Sequence, residues 1–178
     1  MARQKRSNKP TFMTYPRQTG FTFIEIVGAF AIIMVLASIA FIALNPKQHF
    51  QRGRDTQRIS DITAMMEAIK LYSVDHGGAH IPEVAGMPDS TIMMIGQDTS
   101  LCDSLNAFCD SPVASGNACV DLSSLVGNGY LSDIKISPEG KAVWSSGKTG
   151  YTLEKSVSRV MTIRACESES SSEIFLSQ

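Results

Sequence analysis

The feature that most constrains this chain is a long uncharged run, Ile26 to Leu44, that directly follows a single carboxylate, Glu25. As an α-helix rising about 1.5 Å per residue, the run would span roughly 28 Å, close to the hydrocarbon thickness of a bilayer. We therefore predict a membrane-spanning helix with its N-terminus in the cytoplasm. This orientation follows from a basic leader, since residues 1–20 contain five cations and no acid: Arg3, Lys5, Arg6, Lys9 and Arg17.

Glu25 needs an explanation, because a carboxylate within an apolar membrane helix is costly unless a partner neutralises it. A cut after Gly20 would create a new α-amino group on Phe21. That cation would lie at the right depth to pair with Glu25, either on the same subunit or on a neighbour packed beside it. A cut at that position would therefore give Glu25 the partner that an intramembrane carboxylate needs.

The segment Gly20-Phe21-Thr22-Phe23-Ile24-Glu25 resembles the N-terminal signature of type IV pilins and type II secretion pseudopilins. In that family, a membrane prepilin peptidase cuts after the glycine and methylates the new N-terminus. The resemblance implies Gly20 as the cleavage residue, Phe21 as the methylated residue and Glu25 as an assembly residue. It also implies three partners: the peptidase and N-methyltransferase, further copies of this or other pilin subunits, and the cytoplasmic membrane.

Two alternatives explain parts of the same segment. A secretory signal cut near Ala37-Ser38-Ile39-Ala40 would need an apolar core of only 7 to 15 residues, which is shorter than the run observed here. A signal anchor would instead hold an extracytoplasmic binding module that never polymerises. It accounts for the leader and the span but leaves Glu25 without a role.

Beyond the span, Asn45-Pro46 predicts an interruption, because proline lacks an N–H and disfavours helix at the preceding residue. The helical pattern then resumes and ends at Gly77-Gly78. Its apolar stripe is predicted to face a sheet and comprises Ile59, Ile62, Met65, Met66, Ile69 and Tyr72. Its solvent face is predicted to hold Arg54, Asp55, Arg58, Asp61, Glu67 and Lys70.

The remaining sequence predicts a small antiparallel sheet on this helix, so the expected class is α+β and pilin-like. Residues 151–155 and 159–165 form a predicted hairpin whose inner face includes Tyr151, Leu153, Val160 and Ile163. Weak strands are predicted in residues 90–95 and 174–176, and a short helix within 122–131. The expected division is a removed leader (1–20), a membrane or filament-core helix (21–45), an amphipathic helix (46–78) and a head (79–178).

All four cysteines, Cys102, Cys109, Cys119 and Cys166, follow the span and therefore lie on the oxidising side of the membrane. An even number there predicts two disulfides, and the spacing fits no close-paired zinc pattern. Three pairings are possible. We favour Cys102 with Cys109, closing a small loop, and Cys119 with Cys166, tying the middle of the head to the end of a strand. Related pilins commonly carry disulfides in this half.

No metal or cofactor is predicted. Many relatives have an Asp-Pro pair before the hairpin, and the major pseudopilin binds calcium near it, but this chain has Ser137-Pro138. Asp133 and Glu139 are nearby, but calcium takes six to eight oxygen ligands. The sequence contains no Walker loop, dinucleotide fingerprint, nucleophile elbow or zinc-protease helix, so we predict a structural protein and no enzyme.

Charge also limits the partners. After removal of residues 1–20, the chain has 11 cations and 17 anions. A binder of duplex DNA needs a basic face that displaces counterions from phosphate, so a nucleic-acid partner is not expected. The predicted location is the cytoplasmic membrane as a single-pass protein, followed by an extracytoplasmic filament.

Overall fold

The computed structural model describes residues 20–100, 102–115, 119–170 and 173–178. The basic leader, apart from Gly20, therefore lies outside the described residues. The chain divides into two compact units, residues 1–45 and 46–178.

The first unit contains helix α1, Phe23–Leu44, which begins after the N-cap residue Thr22. The helix ends at Asn45, whose φ of 41° is left-handed and whose N–H donates to the carbonyl of Ile42. A short polar side chain tolerates this conformation, and Pro46 cannot supply the next N–H. The interruption thus lies where the sequence predicts it.

The second unit begins with helix α2, Pro46–Asp75. Four predicted apolar residues of its stripe, Ile62, Met65, Met66 and Ile69, are buried against the rest of the unit. Ile59 is 53% exposed, so its assignment to the stripe is wrong. The predicted solvent face is also wrong for three charged residues that are buried: Asp55, Arg58 and Asp61.

These corrections have one physical reason. At three- and four-residue spacing, Asp55, Arg58 and Ile62 continue the same side of the helix, so the buried stripe extends toward the helix N-terminus through charged residues. Such residues can be buried when each finds a partner charge or hydrogen bond.

A four-stranded antiparallel sheet packs on α2, with strand order β1-β2-β3-β4. The strands are β1 Ile92–Met94, β2 Tyr151–Lys155, β3 Met161–Ala165 and β4 Phe175–Ser177. The central register pairs Leu153 with Ile163 and Lys155 with Met161. The fold is therefore α+β, as predicted.

The hairpin contains one error in the predicted inner face. Tyr151, Leu153 and Ile163 are fully buried, whereas Val160 is 41% exposed. Side chains alternate between the two faces of a strand, so Met161, Ile163 and Ala165 share the inner face. Val160 precedes β3 and belongs to the turn.

Three short helices connect these elements: α3 Pro82–Ala85, a 3₁₀ helix Cys102–Phe108, and α4 Ser123–Gly127. Only α4 was predicted. The main core joins α2 to the sheet and includes Val84 of α3 and Leu125 of α4. A second, smaller core contains Met94, Ala142 and Trp144 together with Cys102 and Cys166.

All four cysteines form disulfides, but the predicted pairing is wrong. The bridges join Cys102 to Cys119 and Cys109 to Cys166. The reason is the 3₁₀ helix between Cys102 and Cys109, which rises roughly 2 Å per residue and holds its ends too far apart for a disulfide. At the far end of that helix, the N–H of Asp110 donates to the carbonyl of Cys166 at 2.6 Å, placing Cys109 beside its partner.

We expect peptide mapping under non-reducing conditions to recover Cys102 linked to Cys119 and Cys109 linked to Cys166. The second bridge closes the longer loop, with a sequence separation of 57 against 17. In the chain-entropy model these loops correspond to roughly 4 and 3 kcal/mol. Replacing Cys109 and Cys166 by alanine should therefore lower the free energy of unfolding more than replacing Cys102 and Cys119. A peptide joining Cys102 to Cys109 would contradict the fold described here.

Candidate functional site

The candidate site of the first unit is the start of α1. Gly20, Phe21 and Thr22 precede the helix, and Phe21 is 85% exposed. The side chain of Glu25 folds back over the first turn and accepts hydrogen bonds from the Thr22 N–H at 2.8 Å and the Thr22 hydroxyl at 2.9 Å. The Glu25 N–H donates in turn to the Thr22 hydroxyl at 3.3 Å.

This arrangement is a capping box, in which the first residue and a Glu three positions later satisfy each other's backbone N–H groups. The carboxylate also lies at the positive end of the helix dipole. Thr22 therefore positions the Glu25 side chain, a contact that is not among the predictions above. The signal was present as Thr22-Phe23-Ile24-Glu25, since a Thr followed three residues later by Glu before an apolar run is the capping-box pattern.

Glu25 is the only charged residue of α1. The other polar side chain, Ser38, donates its hydroxyl to the carbonyl of Met34 at 2.8 Å. None of the residues of α1 is buried. A helix that is apolar on every side requires a membrane or neighbouring helices to cover it.

The length and composition of this helix fit a membrane span. A helical stretch near the N-terminus, beginning at Phe23, is long and apolar enough to cross a bilayer, and none of its most apolar 18 residues is buried. Among the described residues it is the one stretch with these properties.

The second unit contains a buried ion network centred on Arg58, whose side chain is fully buried. Its guanidinium donates to Asp55 at 2.9 Å and to Glu169 at 2.9 Å. It also donates to the Ser137 hydroxyl at 3.1 Å and the Pro138 carbonyl at 3.2 Å. One side chain thus links α2 to two loops of the head.

The two carboxylates are held by further donors. Asp55 accepts from the Glu169 N–H at 3.1 Å, the Ser170 N–H at 2.7 Å and the Ser170 hydroxyl at 2.6 Å. Glu169 also pairs with Arg54, whose Nε donates at 2.7 Å. Residues 169 and 170 are thereby fixed to α2.

Two further carboxylates of this unit, Glu167 and Asp61, are buried. Glu167 is fully buried and accepts from the Trp144 indole N–H at 2.9 Å and the Ala142 N–H at 3.1 Å. A Cβ at Gly140 would clash with the carboxylate of Glu167, so a larger residue there would displace that side chain. Asp61 accepts from the phenol of Tyr151 at 2.7 Å.

These contacts shift the acidities of the groups involved. Burial alone would raise the pKa of Asp55, but the hydrogen bonds from Ser170, Glu169 and Arg58 outweigh it, so the pKa is lowered. The hydrogen bond from Arg54, followed by that from Arg58, lowers the pKa of Glu169. Burial, followed by the hydrogen bond to Asp61, raises the pKa of the Tyr151 phenol.

The network offers no obvious catalytic group, because each buried carboxylate accepts hydrogen bonds from fixed donors. Its ion pairs and hydrogen bonds hold two loops of the head on α2, and we refer to Asp55, Arg58 and Glu169 together as the clamp. Within the described residues, no group of three or more His, Cys, Asp or Glu side chains could hold a metal ion.

Comparison with known families gives one finding. Residues 15–41 match the family described as the prokaryotic N-terminal methylation motif. This segment therefore carries a prepilin-type signal, the kind found in type IV pilins and pseudopilins. Searches of curated proteins and of solved structures each gave no significant match.

We expect Arg58→Met to lower the free energy of unfolding by about 3–5 kcal/mol, because it leaves the buried carboxylate of Asp55 without its cation and leaves Glu169 paired with Arg54 alone. Denaturant unfolding of the oxidised protein measures this. Arg52→Met is the matched control, since Arg52 is exposed on the same helix. Equal losses in the two variants would contradict the clamp.

Acid should loosen the same clamp. The pKa values of Asp55 and Glu169 are lower in the folded chain than their ordinary values of 3.8 and 4.5. Their contribution to stability is therefore complete above those ordinary values and is lost as the pH falls through the lower folded values. Thermal unfolding across a pH series should show a drop below about pH 4 that is smaller in an Asp55→Asn variant.

Proposed function

We propose that this chain is a structural subunit of a type IV pilus or a type II secretion pseudopilus. Prepilin peptidase removes the leader after Gly20 and methylates Phe21, and the mature subunits polymerise through the N-terminal helix. The subunit resides in the cytoplasmic membrane with its N-terminus in the cytoplasm, and the head, held by two disulfides, is extracytoplasmic.

The single observation that carries the proposal is the position of Glu25. It is the only charge on a fully exposed apolar helix, and it lies in the first turn of that helix, inside the segment that matches the methylation motif. An anchor that only retains a domain at the membrane has no use for this carboxylate.

The geometry of the first turn supports an ion pair after processing. The Thr22 N–H donates to the Glu25 carboxylate, and Phe21 directly precedes Thr22 in the chain. A cut after Gly20 converts the Phe21 nitrogen into an amine that carries positive charge at neutral pH. The amine of the same subunit or of a neighbour then pairs with Glu25, at the positive end of the helix dipole.

The capping box gives Glu25 partners before any neighbour arrives. Two hydrogen bonds from Thr22 satisfy part of the carboxylate within a single subunit, which makes its burial less costly. We infer that these hydrogen bonds lower the cost of placing the Glu25 carboxylate in the membrane before assembly. Assembly then adds the attraction between Glu25 and the positively charged amine of Phe21.

We expect Glu25→Ala to leave insertion and cleavage largely intact and to impair filament assembly, because the change removes the counter-charge but keeps the span. Electron microscopy of sheared surface fractions measures assembly. Mass spectrometry of the mature N-terminus should show Phe21 as the first residue with an added methyl group, in both the wild type and the variant.

Glu25→Gln is the matched variant, because glutamine can also complete a capping box but has no charge. If it assembles as poorly as Glu25→Ala, the charge is what assembly requires. Normal assembly of Glu25→Gln alone would assign the role to capping. Normal filaments from both variants, or an N-terminus that retains residues 1–20, would favour the membrane-anchored binding module that does not polymerise.

A further inference from the structure

The turn between β2 and β3 contains a residue in a costly conformation. The Arg159 N–H donates to the Ser156 carbonyl, and the Ser156 N–H donates to the Val160 carbonyl, each at 2.9 Å. Arg159 has a φ of 64°, in the left-handed region. Glycine or asparagine is the usual residue at such a position in a hairpin turn.

The Arg159 side chain makes no hydrogen bond or ion pair with any other described residue. The turn therefore does not need its guanidinium. A non-glycine residue held in the left-handed region at such a cost is a reason to look for a function at that position.

Arg159 lines two adjoining hollows of about 350 and 240 Å³. Both hollows are also lined by His80. Lys155 contributes a second cation to the larger hollow, and Lys70 contributes one to the smaller. The anion within this group is Asp89, which lies 3.3 Å from Lys155.

The patch has the opposite sign to the rest of its unit. Residues 46–178 contain 11 Lys and Arg against 16 Asp and Glu. Arg159 and Lys155 line the larger hollow together with Asp89, and Arg159 and Lys70 line the smaller one. Like charges repel one another, and across the two adjoining hollows Asp89 is one negative charge against three positive ones. The cluster therefore has uncompensated positive charge.

The environment of His80 is affected by the positive charge of this cluster. Its Nδ1 is buried and has no hydrogen-bond partner in the described part of the chain. Burial, and then the charges of Lys155 and Arg159, lower the pKa of its imidazole. The ring is thus neutral at pH 7 and leaves the positive charge to its neighbours.

We propose that the two adjoining hollows, which share Arg159 and His80 and are lined by Lys155 on one side and Lys70 on the other, form a binding site for an oxyanion, the carboxylate or phosphate group of a ligand. A guanidinium offers two parallel N–H donors that match such a group, and an ammonium adds a point charge. The larger hollow is more than ten times the roughly 30 Å³ that one water occupies in the liquid, so the group and the atoms that carry it fit. The site is independent of the assembly proposed above.

Inorganic phosphate is the probe, and imidazole NMR of the full-length chain in detergent is the measurement. The chain has three histidines, and His49 and His76, both exposed, serve as internal references. We expect phosphate to shift the His80 resonances saturably and to raise the His80 pKa, because the anion offsets Lys155 and Arg159. A parallel titration with acetate determines whether the site favours a phosphate or a carboxylate.

Arg159→Gly separates binding from folding. Glycine suits the left-handed position, so the melting temperature should be unchanged or higher. Affinity for phosphate should fall at least about tenfold, since a charge-assisted pair of hydrogen bonds is lost. Arg52→Ala controls for net charge, and Ser90→Gly controls for glycine at another left-handed residue, whose φ is 56°.

Three results would overturn the site. The first is the absence of a saturable shift at His80. The second is an equal response of all three histidines, which indicates general screening by the salt. The third is unchanged phosphate affinity in the Arg159→Gly variant.

Discussion

The head depends on one buried cation. Arg58 has no contact with solvent, yet it satisfies two carboxylates, a hydroxyl and a backbone carbonyl that come from separate parts of the chain. The hydrophobic core lies along α2 beyond Ile62 and holds the sheet. Near Arg58, the loops before β2 and after β3 contact α2 through the polar groups of Ser137, Glu169 and Ser170. Ion pairs and hydrogen bonds to Arg58 and Asp55 take over the role that apolar contacts have elsewhere.

The same region shows where sequence patterns fail. Periodicity locates the apolar stripe from Ile62 to Ile69 correctly, because the placement of apolar residues on one side of a helix depends on their spacing alone. It assigns Asp55, Arg58 and Asp61 to solvent because charged residues usually lie there. Their burial depends on partners about 80 to 115 residues away, such as Ser137, Tyr151 and Ser170. A pattern within one helix contains no information about those partners.

The disulfides illustrate a related limit. The number of cysteines and the side of the membrane are enough to predict two bridges, but the pairing depends on where the short segments between them lead. The 3₁₀ helix Cys102–Phe108, which was not predicted, separates Cys102 from Cys109. Each of these cysteines therefore pairs with a cysteine elsewhere in the head. The processing signal is different, because the residues from Gly20 to Glu25 are adjacent in sequence and their chemistry is local. The capping contact of Thr22 is equally local, since Thr22-Phe23-Ile24-Glu25 has the capping-box pattern, but it was not predicted.

The capping box also sets a boundary along the chain. Thr22 is extended, with a φ of −79° and a ψ of 151°, and the helix begins only after it. The Gly20–Phe21 bond therefore lies outside the helix, where a peptidase can bind it without breaking any helical hydrogen bond. The cut proposed after Gly20 would leave every residue of the capping box in the mature chain, and the change at that end would be a new charge on Phe21. The proposed processing would therefore act through the electrostatics at the start of α1, and the hydrogen bonds of its first turn would not have to change.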